Sequence, residues 1–124
     1  MTQIETARSG RISAEMRRIA GCENVSAEAV RRGIASGRIV IPRNRLRSIP
    51  SLCGIGEGLR TKVNANIGTS KGSSDLGREL AKMDAAVSLG ADTIMDLSTG
   101  GDLGRTRRSI ISRAKVPVGT VPIY

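Results

Sequence analysis

The sequence predicts an α/β fold: a small N-terminal helical region, then a β-α-β-α-β run that reaches the last residue without a closing helix. Three observations predict it. Residues 63–67, 93–97 and 116–123 are short runs rich in Val, Ile and Thr, bounded by Gly, Asp, Ser or Pro. Between them, residues 74–89 and 102–114 carry apolar side chains at helical spacing. Strands alternating with helices of that length pair in parallel through right-handed crossovers. The chain is accordingly divided into residues 1–60 (helices, a short strand and a loop) and residues 61–124 (three strands and two helices).

Along the first part, Ser13 is placed to cap a helix over 14–20 and Ser26 one over 27–36. Glu15 and Glu28 lie in the first turns, where the helix dipole favours anions. Gly37 stops the second helix, and "RIVIP" (38–42) reads as a short strand closed by Pro42. Residues 43–60, with Pro50, Gly54, Gly56 and Gly58, read as a long ordered loop. In the second part, Leu76, Leu80, Met83 and Val87 form the expected buried stripe of 74–89, closed by Gly90. Leu103, Ile110, Ile111 and Ala114 form that of 102–114, with Asp102 leading and Arg113 trailing as the dipole prefers. A three-stranded parallel sheet with open edges reads as unfinished, because such sheets are stable when both faces are covered. It is expected to be the front of a longer barrel or half of a sheet completed by another chain.

Composition narrows the class. The 124 residues carry a net charge of +9 and a pI near 11, which raises a nucleic-acid partner. The charge is scattered in doublets such as Arg17–Arg18, Arg31–Arg32 and Arg107–Arg108, and no Phe or Trp supplies a stacking platform for single strands. Solvated helix faces account for it better. Cys22 and Cys53 lie far apart and the chain has no histidine, so it cannot by itself build a conventional zinc site or an iron–sulfur cluster. Two reduced thiols, no long apolar run and no signal-peptide pattern read as a soluble, cytoplasmic protein without a membrane partner.

Ligands of parallel α/β sheets meet the carboxyl ends of the strands. Those ends here are "NANIGTS" (64–70), "MDLSTGG" (95–101) and "VPIY" (121–124). Asn66 can donate and accept toward a heterocycle or hydroxyl, or bond nearby backbone instead. Met95 reads first as core filler. Asp96 is a ligand acceptor or a structural one. The turn Ser98–Thr99–Gly100–Gly101, with a helix start behind it, is a weak candidate for holding an anion. "GIGEGL" (54–59) and "GTSKGSS" (68–74) lack the spacing of dinucleotide and phosphate loops.

"KVNANIGTS", "KMDAAVSLGADTIMDLSTGGDL" and "VPVGTVPIY" closely resemble the front of the phosphomethylpyrimidine synthase family, and "TARSGRISAEM" and "GRIVIPRN" fit it in order and spacing. The resemblance covers nearly the whole chain. It implies the first strands of a (β/α)8 barrel and a radical S-adenosylmethionine lyase of thiamine biosynthesis. The implied enzyme rearranges 5-aminoimidazole ribotide to 4-amino-5-hydroxymethyl-2-methylpyrimidine phosphate, usually as a homodimer. Implied cofactors are S-adenosylmethionine, a 4Fe-4S cluster and zinc. Implied substrate contacts are Asn66, Met95 and Tyr124, 29 residues apart each time, so that equivalent positions on successive strands share one pocket. Asn64 lies on the face of Asn66 and supports it.

Departures from the family are equally specific. Its later serine–arginine–glycine segment, zinc-binding histidines and three-cysteine motif have no counterpart, and Arg47 stands where the family commonly has histidine. The chain is therefore expected to be an N-terminal portion, inactive alone, with a second chain one possible source of the remaining strands. A stand-alone phosphorylated-ligand-binding or regulatory module is the alternative, and a basic nucleic-acid binder a more distant one.

Overall fold

The structure is a computed structural model and describes residues 1–44 and 46–121. It contains two compact units, Met1–Leu46 with Leu52–Thr61, and Arg47–Ser51 with Lys62–Tyr124.

The first unit has three helices, α1 (Gln3–Arg8), α2 (Ala14–Glu23) and α3 (Ala27–Ala35), and a ribbon of two strands, β1 (Ile39–Val40) and β2 (Ile55–Gly56). Helix α1 goes beyond the two helices expected here. Its origin is a capping box: the Thr2 hydroxyl accepts from the Glu5 amide, and the Glu5 carboxylate accepts from the Thr2 amide at 2.7 Å. Ser13 and Ser26 cap α2 and α3 as expected. Helix α2 runs past residue 20 and ends at Asn24, a residue in the left-handed region (φ 54°). Ala7, Met16, Ile19, Val30, Ile34 and Ile39 form the core.

Strand β2 corrects the reading of 43–60 as loop throughout. It pairs antiparallel with β1, Gly56 opposite Ile39. A Cβ on Gly56 would run into the Arg38 carbonyl, and its φ of 146° disfavours any other residue, so glycine permits this approach. Two residues are too few to show an alternating pattern in sequence.

The second unit is the β-α-β-α-β run: β3 (Asn64–Ile67), α4 (Leu76–Ser88), β4 (Thr93–Asp96), α5 (Leu103–Arg113) and β5 (Val118–Thr120). The strands are parallel in the order β3-β4-β5. Asp75 and Asp102 cap the two helices, each carboxylate accepting from the amide three residues on. Ile67, Met83, Ile94, Ile110, Ala114 and Val116 form this unit's core. Full burial of a side chain such as Met83 or Ile94 contributes about 1.5–3 kcal/mol.

The two helical stripes differ from expectation. On α4, Glu79 is buried beside Met83, while Leu76, Leu80 and Val87 are half-buried. On α5, Leu103 is 39% exposed and Thr106 is buried. In both helices a polar side chain occupies the inner face near the N-terminal end. The opposite side of the sheet is open: Asn64 and Asn66 are exposed, and Thr93, Met95 and Gly119 are partly so.

Candidate functional site on the open sheet face

Alternation along β3 puts Asn64 and Asn66 on the face opposite Ile67. The register sets Asn64 beside Thr93, and Asn66 beside Met95. The Thr93 hydroxyl donates to Asn64 Oδ1 at 2.7 Å, and Asn64 Nδ2 reaches Asn66 Oδ1 at 3.5 Å, the outer limit of a hydrogen bond. This chain of groups assigns the amide orientation: the Asn66 oxygen faces Asn64, and its NH2 group remains a donor for an incoming acceptor.

Met95 sits between Asn66 on one strand and Gly119 on the other. Its Sδ and Cε both lie 3.1 Å from where a Cβ on Gly119 would be, so the thioether lies against bare backbone of β5. Asn66 and Met95 are thus register neighbours on one face. Tyr124 lies outside the described residues. On β5 the register neighbour of Met95 is Gly119.

The turns after β3 and β4 are tied together. Asp96, 5% exposed, accepts from the Ser98 amide at 3.0 Å and the Ser98 hydroxyl at 2.5 Å. Ser98 Oγ accepts from the Thr69 amide at 3.1 Å, and the Thr69 hydroxyl donates to the Gly100 carbonyl at 2.7 Å. The Thr99 amide donates to the Thr69 carbonyl at 2.8 Å. Asp96 therefore acts as a structural acceptor. In the turn Ser98–Gly101 the amides of Ser98 and Thr99 are engaged within the fold, and the Asp102 carboxylate accepts from the Arg105 amide at the start of α5. Gly100 packs so closely on the backbone of Ser70 that no side chain fits there.

Sequence reasoning missed Glu79. Its Oε2 accepts from the Gly68 amide at 2.7 Å and its Oε1 pairs with Lys82 at 2.6 Å, which anchors the exit of β3 to α4. Its place between Asp75 and Met83 on one helix face was the available signal. Thr93 and Gly119 were missed too, since their parts depend on strand register.

An iron–sulfur cluster needs several thiolates. The chain has two cysteines, Cys22 exposed and Cys53 buried, and no histidine. Among the described residues no three Cys, Asp or Glu converge as a metal site. These residues do not fit a cluster or zinc, and neither group enters the chemistry assigned to them. Nor is any helix among the described residues long and apolar enough to cross a membrane.

Phosphomethylpyrimidine synthases of Thermodesulfovibrio yellowstonii and Thermus thermophilus are each 55% identical to this chain over its whole length. The 5-hydroxybenzimidazole synthase BzaB of Moorella thermoacetica is 52% identical over the same span. In each case the chain covers 29% of the relative, in the synthases its N-terminal region. Residues 2–124 match the Radical SAM ThiC family, and it is to that family that the chain belongs.

Proposed function

We propose that this chain forms the substrate-facing front of a radical S-adenosylmethionine synthase of thiamine biosynthesis, a cytoplasmic lyase acting on 5-aminoimidazole ribotide. Its three parallel strands are the first three of a (β/α)8 barrel, and the open face of β3–β5 is the barrel's interior. Asn66 donates to a ring or carbonyl acceptor of the substrate, Met95 packs on the heterocycle, and Tyr124 supplies a third contact. The S-adenosylmethionine, cluster and zinc sites belong to sequence outside these 124 residues, whether in the same polypeptide or in a second chain. The assembled enzyme is a homodimer, and this chain alone is inactive.

One observation carries the reading: in a chain matched to the family over residues 2–124, Asn66 and Met95 are register neighbours on the exposed sheet face. The test grafts this chain in place of the corresponding region of the Thermodesulfovibrio yellowstonii relative. With 5-aminoimidazole ribotide, S-adenosylmethionine and reductant, the graft is expected to form the pyrimidine phosphate. Asn66→Ala in the graft is expected to lower kcat/KM at least about tenfold, the loss of one charge-free hydrogen bond in a closed site. The chain by itself should give no product. Unchanged kcat/KM in Asn66→Ala overturns the site, and turnover by the isolated chain overturns its inactivity.

A second reading is favoured by the near-equal identity to BzaB, whose name gives another product. In that case this region serves what the two synthases share, and the graft's product is chosen by the rest of the recipient. Product analysis of grafts in both recipients separates the readings.

A further inference from the structure

Gly119 is the middle residue of the three-residue strand β5, a position where glycine is unfavourable in a strand. Its backbone does not require glycine, because its φ lies outside the left-handed range that marks seven other glycines of the chain. Space is the remaining reason. A Cβ there would stand 3.1 Å from both the Sδ and the Cε of Met95, tighter than ordinary van der Waals contact. Among the described residues, its two chain neighbours apart, no other atom lies within 4 Å of that point, so the residue Gly119 accommodates is Met95.

We infer that Gly119 is a specificity-determining position of the open face: its bare Cα lets Met95 lie across β5, and so sets the depth at which a flat heterocycle rests on the face. This rests on the reading of β3–β5 as a substrate face. Asn66, Met95 and Gly119 form one register line across the three strands: a donor, a polarisable thioether and partly exposed backbone. An alanine at 119 pushes the thioether away from β5 toward the ligand. The site becomes shallower, and a planar ring held by Asn66 loses contact. A methyl group in such a pocket changes discrimination by roughly 10–200-fold.

The chain's methionines make this directly measurable. Of the four, Met16 and Met83 are fully buried in the cores of the first and second units, so their methyl signals report folding of each unit. In the full 124-residue chain with carbon-13-labelled methionine methyls, Gly119→Ala is expected to shift the Met95 signal and leave those of Met16 and Met83 in place. Titration with 5-aminoimidazole ribotide is expected to move the Met95 signal in the wild type, with affinity falling at least about tenfold in Gly119→Ala. Should Gly119→Ala disturb Met83, the double variant Gly119→Ala/Met95→Ala removes the crowding and is expected to restore that signal. A Met95 signal unmoved by Gly119→Ala, or a Met83 disturbance that survives in the double variant, overturns the packing role. Wild-type binding that Gly119→Ala leaves unchanged overturns the specificity role. Absence of any wild-type response to the ribotide instead overturns the substrate-face reading, with the ligand-free shift still reporting on packing.

Discussion

Arg113 at the end of α5 grips Asp84 on α4, its Nε and Nη2 donating to Asp84 Oδ2 at 2.9 and 2.5 Å. The hydrogen bonds from Arg113 hold the Asp84 carboxyl below its ordinary value of 3.8, helped by the charges of Arg113 and Lys115. The same bond raises Arg113. A carboxyl with a depressed folded value stabilises the fold above its unfolded value, and that contribution is lost as pH falls through the folded one. Asp84→Asn should therefore lower Tm slightly at neutral pH and not at all below the folded value. Both partners are substantially exposed, so salt should shrink the difference as well. Thermal melts across pH and salt measure this; a difference that persists in strong acid contradicts it.

Glu79 gives a larger effect, because it is 3% exposed and receives the Gly68 amide. Glu79→Ala leaves that amide without its acceptor and should cost about 1–3 kcal/mol in urea unfolding. Glu79→Gln keeps a carbonyl acceptor and should recover part of the loss. Equal losses in the two variants would mean that the Lys82 pair, rather than the Gly68 bond, matters.

Asp96 is expected to behave as a structural residue. Asp96→Ala strips the acceptor from both the amide and the hydroxyl of Ser98, again a cost of about 1–3 kcal/mol. Asp96→Asn retains Oδ1 and should be milder. Amide spectra should show the change concentrated at residues 69 and 98–100, the partners joined through Ser98 and Thr69.

Thr93→Val removes a hydroxyl while keeping the branched shape, so the strand should lose no more than about 1 kcal/mol. The hydroxyl's bond to Asn64 disappears with it. The side-chain NH2 resonances of Asn64 and Asn66 should both shift, since Asn64 passes the orientation on. A shift at Asn64 alone would show that the 3.5 Å contact to Asn66 transmits nothing.

What was legible in the sequence was mainly local. Ser13, Ser26 and Asp102 are caps whose partners lie three residues away, and the helices they open are where spacing placed them. The same signal stood unread in Thr2 and Glu5, which open α1. Non-local features were harder. Gly56 acts as a strand residue only because Ile39 lies opposite, and buried Glu79 is met by the Gly68 amide and by Lys82. The candidate site divides in the same way. The shared face of Asn64 and Asn66 follows from a period of two, whereas the pairing of Met95 with Gly119 depends on how much chain the α5 crossover consumes.

In the order β3-β4-β5, the middle strand has a ladder on each flank, and Ile94 within it is fully buried. Deuterium should accordingly enter the backbone of β4 last, long after the helix ends have exchanged. The slowest protons of residues 94–96 become a clock for the rarest opening of the whole second unit.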